Sequence, residues 1–205
     1  MELKKAIEEL RKGKERKFNQ SIELIVNLKK FEVKKTPINT FVNVEHNIRA
    51  KKICGFIDIK SDLIDTISKK DFPIYKDSKK KIKNLAKHYD FFIASAPNMP
   101  MVATIFGRVL GPAGKMPSPK LGILMSEDEK SIKELVEKIN KVVRIQAKEP
   151  SIKLSIGKES MKDSEISENL KKVYNAIVNE LPRKKENVRS VMIKTSMGKP
   201  IKVEL

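Results

Sequence analysis

A few short stretches carry residue types that could support chemistry. The most distinctive is Gly107-Arg-Val-Leu-Gly-Pro-Ala-Gly-Lys-Met-Pro-Ser-Pro-Lys-Leu-Gly122, which holds four of the eight glycines and three of the ten prolines. Its Gly114-Lys115 pair invites a phosphate-cradling P-loop. That motif needs a glycine where Val109 stands and a Ser or Thr where Met116 stands. Without them the backbone cannot wrap a nucleotide's phosphates and Mg²⁺ has no protein ligand, so nucleotide hydrolysis is not expected. Two readings stay open: a rigid surface loop set by Pro112, Pro117 and Pro119, or a loop giving Arg108, Lys115 and Lys120 to RNA phosphates.

A second stretch, Lys194-Thr-Ser-Met-Gly-Lys-Pro200, places hydroxyls and a thioether around a glycine between two strand-like runs. Hydroxyls and backbone groups at such a turn can read ribose 2′-OH and phosphate, and a Cβ at Gly198 would obstruct that approach. The alternative is a plain hairpin turn. A third, Lys14-Glu-Arg-Lys-Phe-Asn-Gln-Ser-Ile-Glu23, sets Phe18 among basic residues, either to stack on a nucleotide or to close a sheet over the preceding helix. The lysines of Lys79-Lys80-Lys81-Ile-Lys83 read as a solvated helix face.

Enzymatic signals are weak. Cys54 lies in an apolar run with no nearby His, and the acidic cluster Glu127, Asp128, Glu129 opens a helix, where carboxylates suit the dipole. One cysteine excludes an internal disulfide, and with only His46 and His88 beside it a structural metal site is not expected. The first residues have no apolar core, so they do not read as a secretory signal.

Charge points to a partner. The 205 residues carry 44 Lys+Arg against 26 Asp+Glu, a formal net charge of +18. The excess is spread along the whole chain, which suits a protein clamped onto RNA better than one with a detachable basic arm. Only seven of the basic residues are Arg, so a lysine-rich proteome is the bland explanation of the charge alone.

The elements that must position these residues come in two styles. Leu3, Ile7 and Leu10 space a helix over 2–12, and Ile22, Leu24, Val26 and Leu28 alternate as on a strand. A turn at Thr36-Pro37 leads to a strand over 38–44. From 53 the pattern becomes α/β: a buried strand 53–57, a helix 62–70, a strand near 73–75, a helix to His88 capped by Asp77 or Ser78, a strand 91–95 and a helix 99–110. Ser126 to Glu129 reads as a capping box opening a helix to Val142. The last third is strand-like over 145–156, helical over 164–181, then strand-like at 188–194 and 201–203. Alternating strand and helix imply parallel strands, and the flanking style implies that this middle is inserted into a domain built from both chain ends. The crossings fall near 46–50 and 146–150.

Taken together, Gly107 to Lys120, Lys17-Phe18 with Glu23, Ile156-Gly157-Lys158 and Ser196-Met197-Gly198 resemble the motifs of the L-one family of large-subunit ribosomal proteins. The resemblance runs from about Ala6 to the C-terminus. It implies an α/β fold of two domains: 1–48 with 148–205 as a discontinuous rRNA-binding domain, and 49–147 as an inserted Rossmann-like three-layer domain. It implies a cytoplasmic, non-enzymatic constituent of the large subunit, without cofactor or membrane, monomeric off the ribosome. Such a protein binds rRNA of the mobile stalk near the tRNA exit site and assists release of deacylated tRNA; several members repress their own mRNA. The RNA-contacting positions map onto Lys17, Phe18, Ser21, Glu23, Lys158, Ser196, Met197 and Gly198. The Gly/Pro stretch falls in the other domain, with a role in its shape or in tRNA-side contacts. His46-Asn47-Ile48-Arg49-Ala50 departs from the glycine-rich crossing of many members, and the residues around the Met-Gly turn look archaeal or eukaryotic. The competing classes are a Rossmann-like nucleotide enzyme and a nonspecific basic nucleic-acid-binding protein.

Overall fold

A computed structural model describes residues 2–13, 16–33, 36, 38–59, 61–76, 78–119, 121–147 and 149–204. Lys14, Pro37, Asp77 and Lys120 lie outside them. Along the chain run α1 (Leu3–Arg11), β1 (Ser21–Leu28), β2 (Asn39–Asn43), β3 (Ile53–Phe56), β4 (Asp65–Thr66), α2 (Phe72–Lys76), α3 (Lys79–His88) and β5 (Phe91–Ser95). They are followed by α4 (Met99–Ala113), β6 (Ile123–Leu124), α5 (Glu129–Asn140), β7 (Val142–Gln146), β8 (Ser151–Lys158), α6 (Asp163–Glu180), β9 (Val188–Thr195) and β10 (Ile201–Val203). The protein is mixed α/β with parallel and antiparallel sheets. It divides into two compact units, one built from residues up to Arg49 and from Lys141 onward, the other spanning Ala50–Asn140.

The first unit is organised by β1. Its strict alternation buries Ile22, Leu24, Val26 and Leu28 on one face. The strand lies inside an antiparallel sheet of order β10-β9-β1-β8. Helix α1 turns Leu3, Ala6, Ile7 and Leu10 toward the same core, and α6 adds Ile166, Leu170, Val173 and Ile177. Each such side chain, fully buried, contributes about 1.5–3 kcal/mol relative to exposure. The second unit is a parallel sheet of order β4-β3-β5-β6. Cys54, Phe56, Phe92 and Ala94 face one core with Phe72, Ile82 and Phe106, while Ile53, Ile57 and Ile93 face another with Ile132 and Ile139 of α5. Both faces are therefore covered, which explains the near-continuous apolar runs of β3 and β5.

Four expectations need correction. The helix expected over 62–70 and the strand at 73–75 exchange character: Asp65–Thr66 is a strand beside Cys54–Gly55, and Phe72–Lys76 is helical, with Pro73 in its first turn. The strand expected over 145–156 is two strands, β7 and β8. Because β7 pairs with β2, the chain re-enters the first unit near Lys141, before the expected crossing at 146–150. The helix expected to reach Val142 ends at Asn140, and Glu127 accepts from the N–H groups of Asp58 (3.2 Å) and Ile59 (3.3 Å). Finally, the helix expected over 99–110 is present but runs on to Ala113, so Gly111 to Ala113 are not loop; Val102, Phe106 and Leu110 at four-residue spacing are fully buried. Pro112 removes one N–H, and Gly114 in the left-handed region (φ 68°) stops the helix.

Candidate nucleic-acid interface

At the start of β1, three chain segments meet. Ser21 pairs across β1 and β8 with Lys158, and Ile22 pairs across β1 and β9 with Thr195. Beyond Thr195 the chain turns, and Ser196 locks onto Ser21: its N–H donates to the Ser21 carbonyl (3.0 Å), and its Oγ accepts from the Ser21 N–H (3.2 Å). Gly198 N–H closes the turn on the Thr195 carbonyl (3.0 Å). Between these two, the N–H of Met197 donates to Oε1 of Gln20 (3.3 Å). Gln20 is only 4% exposed, and its side-chain amide also donates to the Glu159 carboxylate (3.4 Å) while its main-chain carbonyl accepts from Glu159 N–H (2.9 Å). One buried side chain thus ties the 196–198 turn to the segment after β8.

Neighbouring bonds fix that segment. Asn19 donates to Ser160 Oγ (2.8 Å), and Arg11 forks onto Asp163 (2.7 Å) and the carbonyls of Glu159 (2.9 Å) and Met161 (2.6 Å). Gly157 has a packing reason: a Cβ there would stand 3.1 Å from Ile166 of α6. Against this rigid frame two apolar side chains stay in solvent, Phe18 at 53% and Met197 at 64% exposure. Two residues along from Ser21, Glu23 lies opposite Lys194, with 3.7 Å between carboxylate and ammonium. Beside the turn lies a hollow of about 430 Å³ lined by Leu10, Arg16, Gln20, Met197, Lys199 and Ile201 among others.

The structure therefore brings Ser21, Lys158, Ser196, Met197 and Gly198 together. Glu23 follows on the same strand, and Phe18 and Lys17 lie just before it, both exposed. Sequence reasoning missed Gln20, Asn19 and Arg11, whose partners lie well over a hundred residues away. Nothing in local spacing could reveal those bonds. Gly198 also needs a different account. A Cβ on it would collide with Oγ1 of Thr195, so the glycine serves the turn itself, and Gly198→Val would distort the fold as well as the surface.

The Gly/Pro stretch does not supply a phosphate cradle from its central lysine. Lys115 Nζ donates to the carbonyls of Ala86 and Tyr89 (2.8 Å each), closing the end of α3. Cys54 is fully buried, and burial, with the nearby Asp65 charge, pushes its thiol up to about 12. A thiol held protonated at neutral pH is no nucleophile. Glu45, His46 and Glu168 draw close together, but Lys172 holds Glu45 (2.6 Å) and His46 meets Glu168 (2.8 Å). The Lys172 hydrogen bond and charge keep the Glu45 carboxyl below its ordinary range.

A hydrogen-bonded polar edge with exposed apolar tips thus stands on a mixed α/β body. Residues 10–199 match the Ribosomal protein L1p/L10e family. Similar proteins include one from Thermococcus kodakarensis, 40% identical with 94% of this chain and 92% of the relative covered, and one from Pyrococcus horikoshii, 38% identical with 94% and 90% covered. Another, from Nanoarchaeum equitans, is 34% identical with 96% and 97% covered. Each is named large ribosomal subunit protein uL1. The chain belongs to the ribosomal protein L1p/L10e family and is a cytoplasmic, non-enzymatic structural constituent of the ribosome. Among the described residues no helix is long and apolar enough to cross a membrane.

Proposed function

We propose that this chain sits in the large subunit and binds stalk rRNA through the first unit, at the edge formed by Lys17, Phe18, Ser21, Glu23, Lys158 and the Ser196–Gly198 turn. The observation that supports this most is the convergence of three distant segments on Gln20, which pre-shapes an edge with Met197 and Phe18 left exposed. Such a surface suits RNA: lysines meet phosphates, apolar tips pack on sugars or bases, and turn backbone reads ribose. From the stalk the protein assists release of deacylated tRNA. By the same edge it represses its own mRNA where that mRNA mimics the rRNA site.

A competition assay tests the reading. A stalk rRNA fragment and a random RNA of equal length compete for the full chain at rising salt. The shape-reading edge predicts that stalk RNA keeps its advantage as the phosphate contribution fades. Equal displacement at every salt concentration favours a nonspecific basic protein.

A further inference from the structure

The opposite end of β1 carries a second basic cluster, distinct from the edge just described. Eight residues of extended strand put it about 24 Å from Ser21. There the loop after β1 supplies Lys29 and Lys30, the segment between α6 and β9 supplies Arg183, Lys184 and Lys185, and β9 adds Arg189; all six are exposed. None of the six forms an ion pair among the described residues, although Glu32 and Glu186 lie in the same segments.

The cluster is built. Asn187, 1% exposed, donates through Nδ2 to the carbonyls of Lys29 (3.1 Å) and Lys30 (3.2 Å) and accepts through Oδ1 from the Arg183 N–H (2.8 Å). Its own carbonyl accepts from Lys29 N–H (2.7 Å). Among the described residues, the non-glycine positions with left-handed backbone are Lys30 (φ 52°) and Lys184 (φ 48°), one in each tied loop. Backbone strain held in place by a buried amide is a reason to look for function. Between the loops is a hollow of about 190 Å³ edged by Lys30, Phe31, Pro182 and Arg183.

We propose that this end of the first unit is a second RNA-binding patch, which grips the phosphate backbone of an RNA segment separate from the one at the Ser21 end. Cations carried on tied backbone, with Phe31 half-buried and no exposed aromatic beside them among the described residues, suit backbone contact rather than base reading. The proposal rests on the charge and its frame, so it stands or falls apart from the Ser196–Gly198 assignment.

The test uses a short generic RNA duplex, titrated against full-length chains over a range of salt. One variant carries Arg183→Ser, Lys185→Ser and Arg189→Ser; a second, with the same loss of charge, carries Lys79→Ser, Lys80→Ser and Lys83→Ser on α3; a third carries Phe18→Ala and Met197→Ala. Each lost phosphate contact should lower the salt slope by about 0.9, so the first variant should lose about 2–3 in slope. The second and third should lose less than 1. Equal slopes for the first two variants would show that bulk charge, not the patch, holds the duplex, and would overturn the proposal. Asn187→Asp, which puts a carboxylate oxygen where the amide donates to both carbonyls, should weaken duplex binding without removing a cation. Unchanged binding by that folded variant would also count against a built patch.

Discussion

The two units use their sheets in opposite ways. In the second, residues 54, 56, 92 and 94 pack into one core and 53, 57 and 93 into another, so the sheet has no free face. In the first, β1 buries every second side chain and leaves Ser21, Glu23, Ile25 and Asn27 half-buried and outside the core. Apart from Ile25, that outer row is polar: Asn27 bonds Ser190 and Ser151 (3.0 Å each) across both neighbouring strands. Conspicuous sequence and available surface part company here. The Gly/Pro stretch is largely spent on folding the second unit, while the plainer Ser196–Gly198 turn lies at the open end of the first.

Several substitutions sharpen that contrast. The largest effect is expected from Phe106→Ala, which removes a fully buried ring lying 4.7 Å from Phe56 and 5.6 Å from Phe72. It should cost about 3–5 kcal/mol in the second unit. Alkylation of Cys54, slow in the wild type, should become fast, while stalk-RNA affinity stays close to wild type. Loss of RNA binding at temperatures where Cys54 is still protected would undo the division of labour. Next comes Lys115→Met. Losing two charge-assisted bonds to carbonyls should cost about 2 kcal/mol of stability in denaturant melts and leave RNA affinity alone. An affinity loss without a stability loss would restore the phosphate-contact reading.

Smaller effects belong to single polar groups. Ser196→Ala removes no charge but does remove the Oγ that accepts from Ser21 N–H, so about 1 kcal/mol should appear in stability and in RNA binding alike. Isothermal titration and melting of the same sample check both halves. Lys79→Ala, on the exposed face of α3, should change either quantity by less than about 0.5 kcal/mol.

How much was legible in the sequence depended on how local the cause was. The alternation of β1, the helix spacing of α1 and the Ser78 cap on α3, whose Oγ accepts from Lys81 N–H (3.4 Å), are written within a few residues. The two-residue strand Asp65–Thr66 exists because β3 offers it a parallel neighbour, which no propensity at 65–66 declares. Helix α4 runs through Gly107, Gly111 and Pro112 because Phe106 and Leu110 need the core, so tertiary packing overrode the local breakers. The candidate edge was legible through its motif residues and not through its frame: Ser196, Met197 and Gly198 stood out, whereas Gln20 and Arg11 look like any surface polar residue.

On the proposed reading, shape and apolar tips, not bulk charge, bind stalk rRNA at the Ser21 end. The most direct measurement is the affinity of the full chain carrying Phe18→Ala and Met197→Ala for a stalk rRNA fragment over a salt series. Base stacking on Phe18 is worth about 1–3 kcal/mol, and burial of the Met197 side chain about 1.5–3 kcal/mol. Affinity should therefore fall at least tenfold, with the slope of log affinity against log salt unchanged and the melting temperature close to wild type. An unaltered affinity in the folded variant would contradict the claim.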